Sequence, residues 1–257
     1  MADPAITRAR RPFAEQVAFF LGKLGNLIPT ERWDEVWGAQ HNKAWMVAGA
    51  QKADLLADLA GAVEEAITEG LGIERFREQF DEIVADHGWA FRGERNWRSR
   101  VIYRTNMTTS YAGGRASQLR DPALRELAPL LMYRHNDSVS FPRPLHQSWD
   151  GMALPADHPW WDTHTPPNGF GCQCYVVAVT EGQARRRGRV VDEPPNDGIQ
   201  PDGTPAGVDP GWDYRPGDTD ADNTREGITR RLGQFPPGIG RSLADHIGNI
   251  PTPEDAP

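Results

Sequence analysis

The sequence predicts an α+β fold: a mostly helical N-terminal half, a small β-containing module and an extended Pro/Asp-rich C-terminal tail. Three observations carry this reading. Through residue 120, apolar positions recur at helical spacing and no strand pattern interrupts them. Two short β-rich runs, "LLMYRHNDS" at 130–138 and "CQCYVVAVT" at 172–180, are bounded by turn residues. From 191 onward, 11 of the 22 prolines fall in 67 residues rich in Gly and Asp, a composition that does not sustain regular structure. The chain accordingly divides into an N-terminal helical region at 1–93, a module at 94–192 and an extended or disordered acidic tail with short helices at 193–257.

Residues 9–28 read as an amphipathic helix, with Phe13, Val17, Phe20, Leu21, Leu24 and Ile28 on one side. Pro29-Thr30 interrupts it, and Thr30 is placed to cap the next helix. The helical pattern then continues from Glu31 to about Glu69, with Gly49 as a break and Gly70 as the stop. A short helix is expected over Ile73–Ala85. Residues 94–119 form a longer one, with Gly113-Gly114 as its expected kink. The β-containing part spans 128–192, and its two strands flank a loop crowded with Pro, Asp, His and Trp. Two short helices are expected within the tail, near Thr224–Leu232 and over 239–250.

Charge and hydropathy exclude some classes of function. No apolar run approaches the roughly 20 residues that cross a bilayer, so no membrane partner is expected. The start, "MADPAITRARRPF", lacks the apolar segment of a secretory signal, and synthesis in the cytoplasm is expected. Lys plus Arg against Asp plus Glu is 16 to 16 over residues 1–120, 7 to 7 over 121–190 and 5 to 13 over 191–257. The tail thus carries the whole imbalance, which argues against a chain that wraps nucleic acid along its length. The strongest cation cluster is "ARRRGRV", where Arg185, Arg186, Arg187 and Arg189 suit DNA phosphates, an acidic protein surface or a solvated helix face.

The only two cysteines stand as Cys172-x-Cys174, inside "WDTHTPPNGFGCQC". A disulfide between residues two apart closes a small, strained ring. Two thiolates with two histidines make a tetrahedral zinc site, and His146 and His164 supply the histidines, with His158 as a spare. The same residues also read as small side chains at a strand start beside hydrogen-bonding histidines. Two enzymatic versions exist: a Cys–His nucleophile oriented by Asp150 or Asp162, and a metal-dependent nuclease using His135, His146 and Asp137. Neither has a specific motif, and no P-loop, dinucleotide fingerprint or HExxH occurs.

The block "HQSWDGMALPADHPWWDTHTPPNGFGCQC" followed by "YVVAVTEGQARRRG" resembles the signature of the phage Mu F-like minor head proteins, the phage head morphogenesis family. The matching positions are His146, Asp150-Gly151, Asp157, Trp160 or Trp161, Pro166, Pro167, Asn168, Gly169, Gly171, Cys172 and Cys174. Upstream, Arg104-Thr105 in "VIYRTNMTTSYAGGRASQL" is similar to the family's helix, and "PGWDYRPG" at 210–217 to a trailing element. Gln173 departs from the basic residue usual between the cysteines. The resemblance implies a structural, non-enzymatic minor capsid protein, made in the host cytoplasm and built into the virion head near the portal. Its partners would be the portal protein, the major capsid protein or scaffold, and packaged phage DNA. It favours structural Zn²⁺ on His146, His164, Cys172 and Cys174. Arg104, Asp150, Gly151, Trp161, Pro166, Pro167, Asn168 and Gly169 would shape the motif. The alternative it leaves open is a metal-dependent nuclease, or a toxin-like transferase acting during infection.

Overall fold

A computed structural model of the chain describes residues 12–218, except 140 and 192. Four helices form the N-terminal layer: α1 (Ala14–Leu24), α2 (Ala53–Thr68), α3 (Ile73–His87) and α4 (Arg95–Leu119). The apolar stripe of α2 explains its place in the middle, because Leu55, Leu56, Leu59, Val63, Ala66 and Ile67 are all buried. They pack with Phe20, Phe76, Phe80, Ile102 and Met107 in one core. Gly88 takes a left-handed conformation (φ 58) at the end of α3, and its N–H and that of Trp89 return to Ala85 and Val84. This is a glycine stop that satisfies carbonyls the helix would otherwise leave bare.

Residues 31–52 do not form the helix that their apolar pattern predicts. A 3₁₀ turn at Gly38–Asn42 is the only helical element there. Gly38 (φ 52) and Gly49 (φ 84) lie in the left-handed region. Trp45 is drawn away into the core: its backbone pairs with Asn26 and Ile28, and its indole N–H donates to Asn106 Oδ1 at 2.8 Å. Tertiary burial of one tryptophan has overridden local propensity.

The expected kink at Gly113-Gly114 is also absent, because α4 is helical throughout. The pair instead lets α1 approach. A Cβ on Gly114 would meet the Gln16 backbone N at 2.5 Å, and one on Gly113 would meet the Phe19 ring at 2.7 Å. Gln16 is fully buried at this crossing and donates to Ser110 Oγ at 3.3 Å. Gly114→Val should therefore destabilise the fold by about 1–3 kcal/mol through overpacking, measured as a lower denaturant midpoint with an unchanged slope. A Gly61→Val control, where the added Cβ meets nothing within 4 Å, should cost far less.

After α5 (Pro122–Leu127), the chain enters a four-stranded sheet of order β3-β1-β2-β4. The strands are β1 (Leu130–Arg134), β2 (Met152–Pro155), β3 (Tyr175–Val179) and β4 (Arg189–Val190). Both β-rich runs are shorter than their sequence limits, since 135–138 and 172–174 are loop. β1 pairs antiparallel with β3 in the register Leu130↔Val179 through Arg134↔Tyr175. Three short helices punctuate the sheet: α6 (Pro144–Ser148), α7 (Trp160–His164) and α8 (Glu181–Arg187).

Past 193 the chain is irregular but not loose as far as Gly217. Val208, Trp212 and Tyr214 are buried, and we call residues 195–217 the strap. The helices expected at 224–232 and 239–250 lie outside the described residues, as does the start of the first predicted helix at 9–11. Among the described residues, no helix is long and apolar enough to cross a membrane.

Candidate metal centre

The loop between α7 and β3 is built on a cis Pro166-Pro167 bond and a fully buried Asn168. Asn168 Oδ1 accepts from the buried Tyr133 hydroxyl at 2.9 Å, and its carbonyl accepts from Asp209 N of the strap. Gly169 has no room for a Cβ, because the Asp209 carboxylate and the Arg143 guanidinium occupy that place. Arg143 and Asp209 pair bidentately at 2.7 Å on both sides, and Arg143 also donates to Phe170 O. Gly171 (φ 76) then turns the chain so that Cys172 N returns to Gly169 O. Trp161, fully buried, holds the other end of the loop by donating from Nε1 to Pro155 O.

This turn delivers both thiols to His146, which α6 presents. His146 Nδ1 lies 3.7 Å from Cys172 Sγ and 3.6 Å from Cys174 Sγ, and all three residues are buried. With Zn–S of about 2.3 Å and Zn–N of about 2.0–2.1 Å, tetrahedral geometry sets each S···N edge near 3.5 Å. The two separations therefore fit ligands around one ion. The cysteines are free thiols. The hydrogen bond between them pulls the Cys172 thiol well below its ordinary range, and His146 assists. The same bond, with burial, pushes Cys174 up.

His164 is not brought to this group. Its ring stacks on Trp160 at 4.3 Å, and Trp149 stands between the two histidines, stacked on His146 at 5.2 Å and edge-on to His164 at 5.3 Å. Burial lowers the His164 pKa to about 4. Its Nδ1 instead faces Trp160 O and Thr163 Oγ1. His158 is engaged locally, accepting from Trp160 N.

The histidine that does approach is His135, at the end of β1. Its Nδ1 is 3.4 Å from Cys174 Sγ, outside the tighter three-residue group. The β1/β3 register explains the encounter, since one step beyond Arg134↔Tyr175 sets residue 135 opposite 174. That register is the signal that would have found it, and a single sequence does not state it. Asp150 pins the position: its Oδ1 accepts from His135 N at 2.8 Å and from Arg134 Nε at 2.9 Å. Gly151 (φ 76) comes next, donating to Tyr133 O and passing close to Gly188.

These placements bear on the enzymatic alternatives. A Cys–His nucleophile needs its histidine oriented by a third group. Here His146 Nε2 faces the Gly207 carbonyl at 2.7 Å, Asp150 serves the backbone of His135, and Asp162 lies 3.7 Å from Arg215. Asp137, the carboxylate of the nuclease version, is almost fully exposed.

The remaining residues that the sequence singles out lie elsewhere. Arg104 is half-buried on α4. In the basic run, Arg185 pairs with Glu181, Arg189 donates to Ser148 O, and Arg186 and Arg187 are exposed on α8. A cavity of about 580 Å³ opens between the helical layer and the Phe170 loop. Trp33, Trp37, Trp97 and Phe170 line it while staying between 38% and 47% exposed. Single-sequence patterning missed this aromatic rim because its members come from distant segments.

A family model described as "Phage Mu protein F like protein" matches residues 57–177. Among curated proteins, "Putative capsid assembly protein F" of Escherichia phage Mu is 31% identical over 195 residues, covering 70% of this chain and 43% of that protein. "Mu-like prophage FluMu F protein" of Haemophilus influenzae is 31% identical over 170 residues, covering 62% and 40%. The matched stretches thus span less than half the length of these relatives. No solved structure matches.

Proposed function

We propose that this chain, whose residues 57–177 match the phage Mu protein F-like family model, is a structural protein of phage head assembly. It acts by binding other head components and not by catalysis. The observation that carries the reading is that the family match includes the whole His146–Cys174 block. The phage Mu relative carries a capsid-assembly name. The working locations are then the host cytoplasm during assembly and the virion head afterwards, with the portal protein and the major capsid protein or scaffold as partners.

The surface supports a binding role. Half-exposed Trp33, Trp37, Trp97 and Phe170 around one cavity are the aromatic anchors that protein interfaces favour. Arg186 and Arg187 on α8 supply a local contact for an acidic partner or for packaged DNA. The metal centre belongs to this reading as scaffolding: His146, Cys172 and Cys174 hold a structural zinc ion that keeps the loop in shape. Inactivating the gene in its phage should leave few intact heads, and tagged protein should co-purify with portal or procapsid. Normal head yield without the protein, with none of it in procapsids, would overturn the assignment.

A further inference from the structure

We propose that His135 is the fourth ligand of this centre, making it a closed Cys₂His₂ site drawn from β1, α6 and the loop before β3. The inference rests on the structural-zinc reading and adds the ligand that closes the tetrahedron. His135 Nδ1 stands 3.4 Å from Cys174 Sγ, one tetrahedral edge, but lies outside the close His146–Cys172–Cys174 group, so closing the site requires its ring to turn toward the other two ligands. The side chain is buried, and its other nitrogen, Nε2, has no hydrogen-bond partner. Its neighbour in that direction is the Asp137 carboxylate at 3.8 Å.

His146 shows the same orientation. It too turns Nδ1 to the sulfurs, and, unlike His135, it has a hydrogen-bonded oxygen on Nε2, the Gly207 carbonyl at 2.7 Å. An imidazole that donates from one nitrogen leaves the other with a lone pair for metal, and an oxygen partner fixes that tautomer. Asp150 holds the backbone of His135 and so sets where the ring starts. His164, the other histidine with a claim, is screened by Trp149.

Closure has two consequences. Four protein ligands leave no position for an activated water, which is what separates a structural zinc from a hydrolytic one. In addition, the ion fastens the strap from the inside, because the His146 ring it orients also binds Gly207.

The test is titration of the full chain with Co²⁺ under reducing conditions. The wild-type protein should take one ion and show the intense visible absorption of four-coordinate cobalt. His135→Ala should lose affinity at least tenfold and show a weaker, shifted spectrum as water enters, whereas His164→Ala should match the wild type. His135→Cys should restore intense four-coordinate absorption with an added thiolate charge-transfer band, which separates ligand loss from misfolding. An unchanged spectrum and affinity in His135→Ala would overturn the assignment of His135 while leaving the zinc reading intact. Absence of Co²⁺ and Zn²⁺ binding by the wild type would overturn both.

Discussion

Cys172→Ser/Cys174→Ser should release the metal and lower stability by about 4–5 kcal/mol or more, the exceptional end of point-mutation effects, to which loss of a bound metal belongs. For a chain of this length, that is a drop of roughly 10 °C or more in Tm. The size of the effect reflects the groups that the thiols join. Cys172 and Cys174 are buried beside Tyr133 and Trp149, in a core that also contains Leu131, Met152, Leu154 and Trp161. Serine hydroxyls there would be poorly solvated and poorly partnered, so loss of the ion would add to a packing penalty. The two contributions separate in calorimetry with and without chelator. A chelator should destabilise the wild type and leave the double variant unaffected. A double variant that kept both its metal and its Tm would remove the thiolate model.

Trp149→Ala should cost about 3–5 kcal/mol, as expected for deleting a large, fully buried aromatic. Trp149 touches several parts of the site at once. It stacks on His146, meets Tyr133 edge-on at 5.5 Å and Trp160 at 5.4 Å, and screens His164. Its indole N–H also donates to Asp197 Oδ2 at 2.7 Å, and its ring fills the space beside Gly207, where a Cβ would meet it at 2.5 Å. The variant should therefore become sensitive to proteolysis within 195–210 at temperatures where the wild type resists. Trp149→Phe should recover much of the stability but not the Asp197 bond. Equal protease resistance in wild type and Trp149→Ala would show that the strap is held independently of this ring.

The long helices were legible because their periodicity runs over many residues: α2, α3 and α4 fall where the apolar spacing puts them. Residues 31–52 were misread because apolar spacing does not distinguish a helix from a loop whose tryptophans are buried one at a time. Gly38 takes a left-handed turn that the pattern does not show, Gly49 turns left-handed at the expected break, and Gly113 and Gly114 serve the close approach of α1 in place of a kink. At the site, residue types identified His146, Cys172 and Cys174, since cysteine pairs with histidine carry their chemistry openly. The choice between His164 and His135 depended on strand register and on the position of Trp149, and these are properties of the assembled sheet.

The far end of the strap has a consequence for the order in which the molecule is built. Gly217 N donates to Asn42 Oδ1 at 3.0 Å, and Asn42 Nδ2 donates to Arg215 O at 3.1 Å. Arg120 donates to the Gly217 carbonyl, and Gly217 sits against Gly113, where a Cβ would meet the Gly113 carbonyl at 2.7 Å. Contacts spanning 173 and 175 residues are slow to form, because the loop between them must close first. On the ribosome, the N-terminal helices therefore emerge long before the segment that seals them. They must wait, incompletely covered, until residue 217 has left the exit tunnel. Nascent chains truncated before 195 should bind chaperones or aggregate, and those extended past 217 should escape both fates. A segment made late thus completes a layer made early.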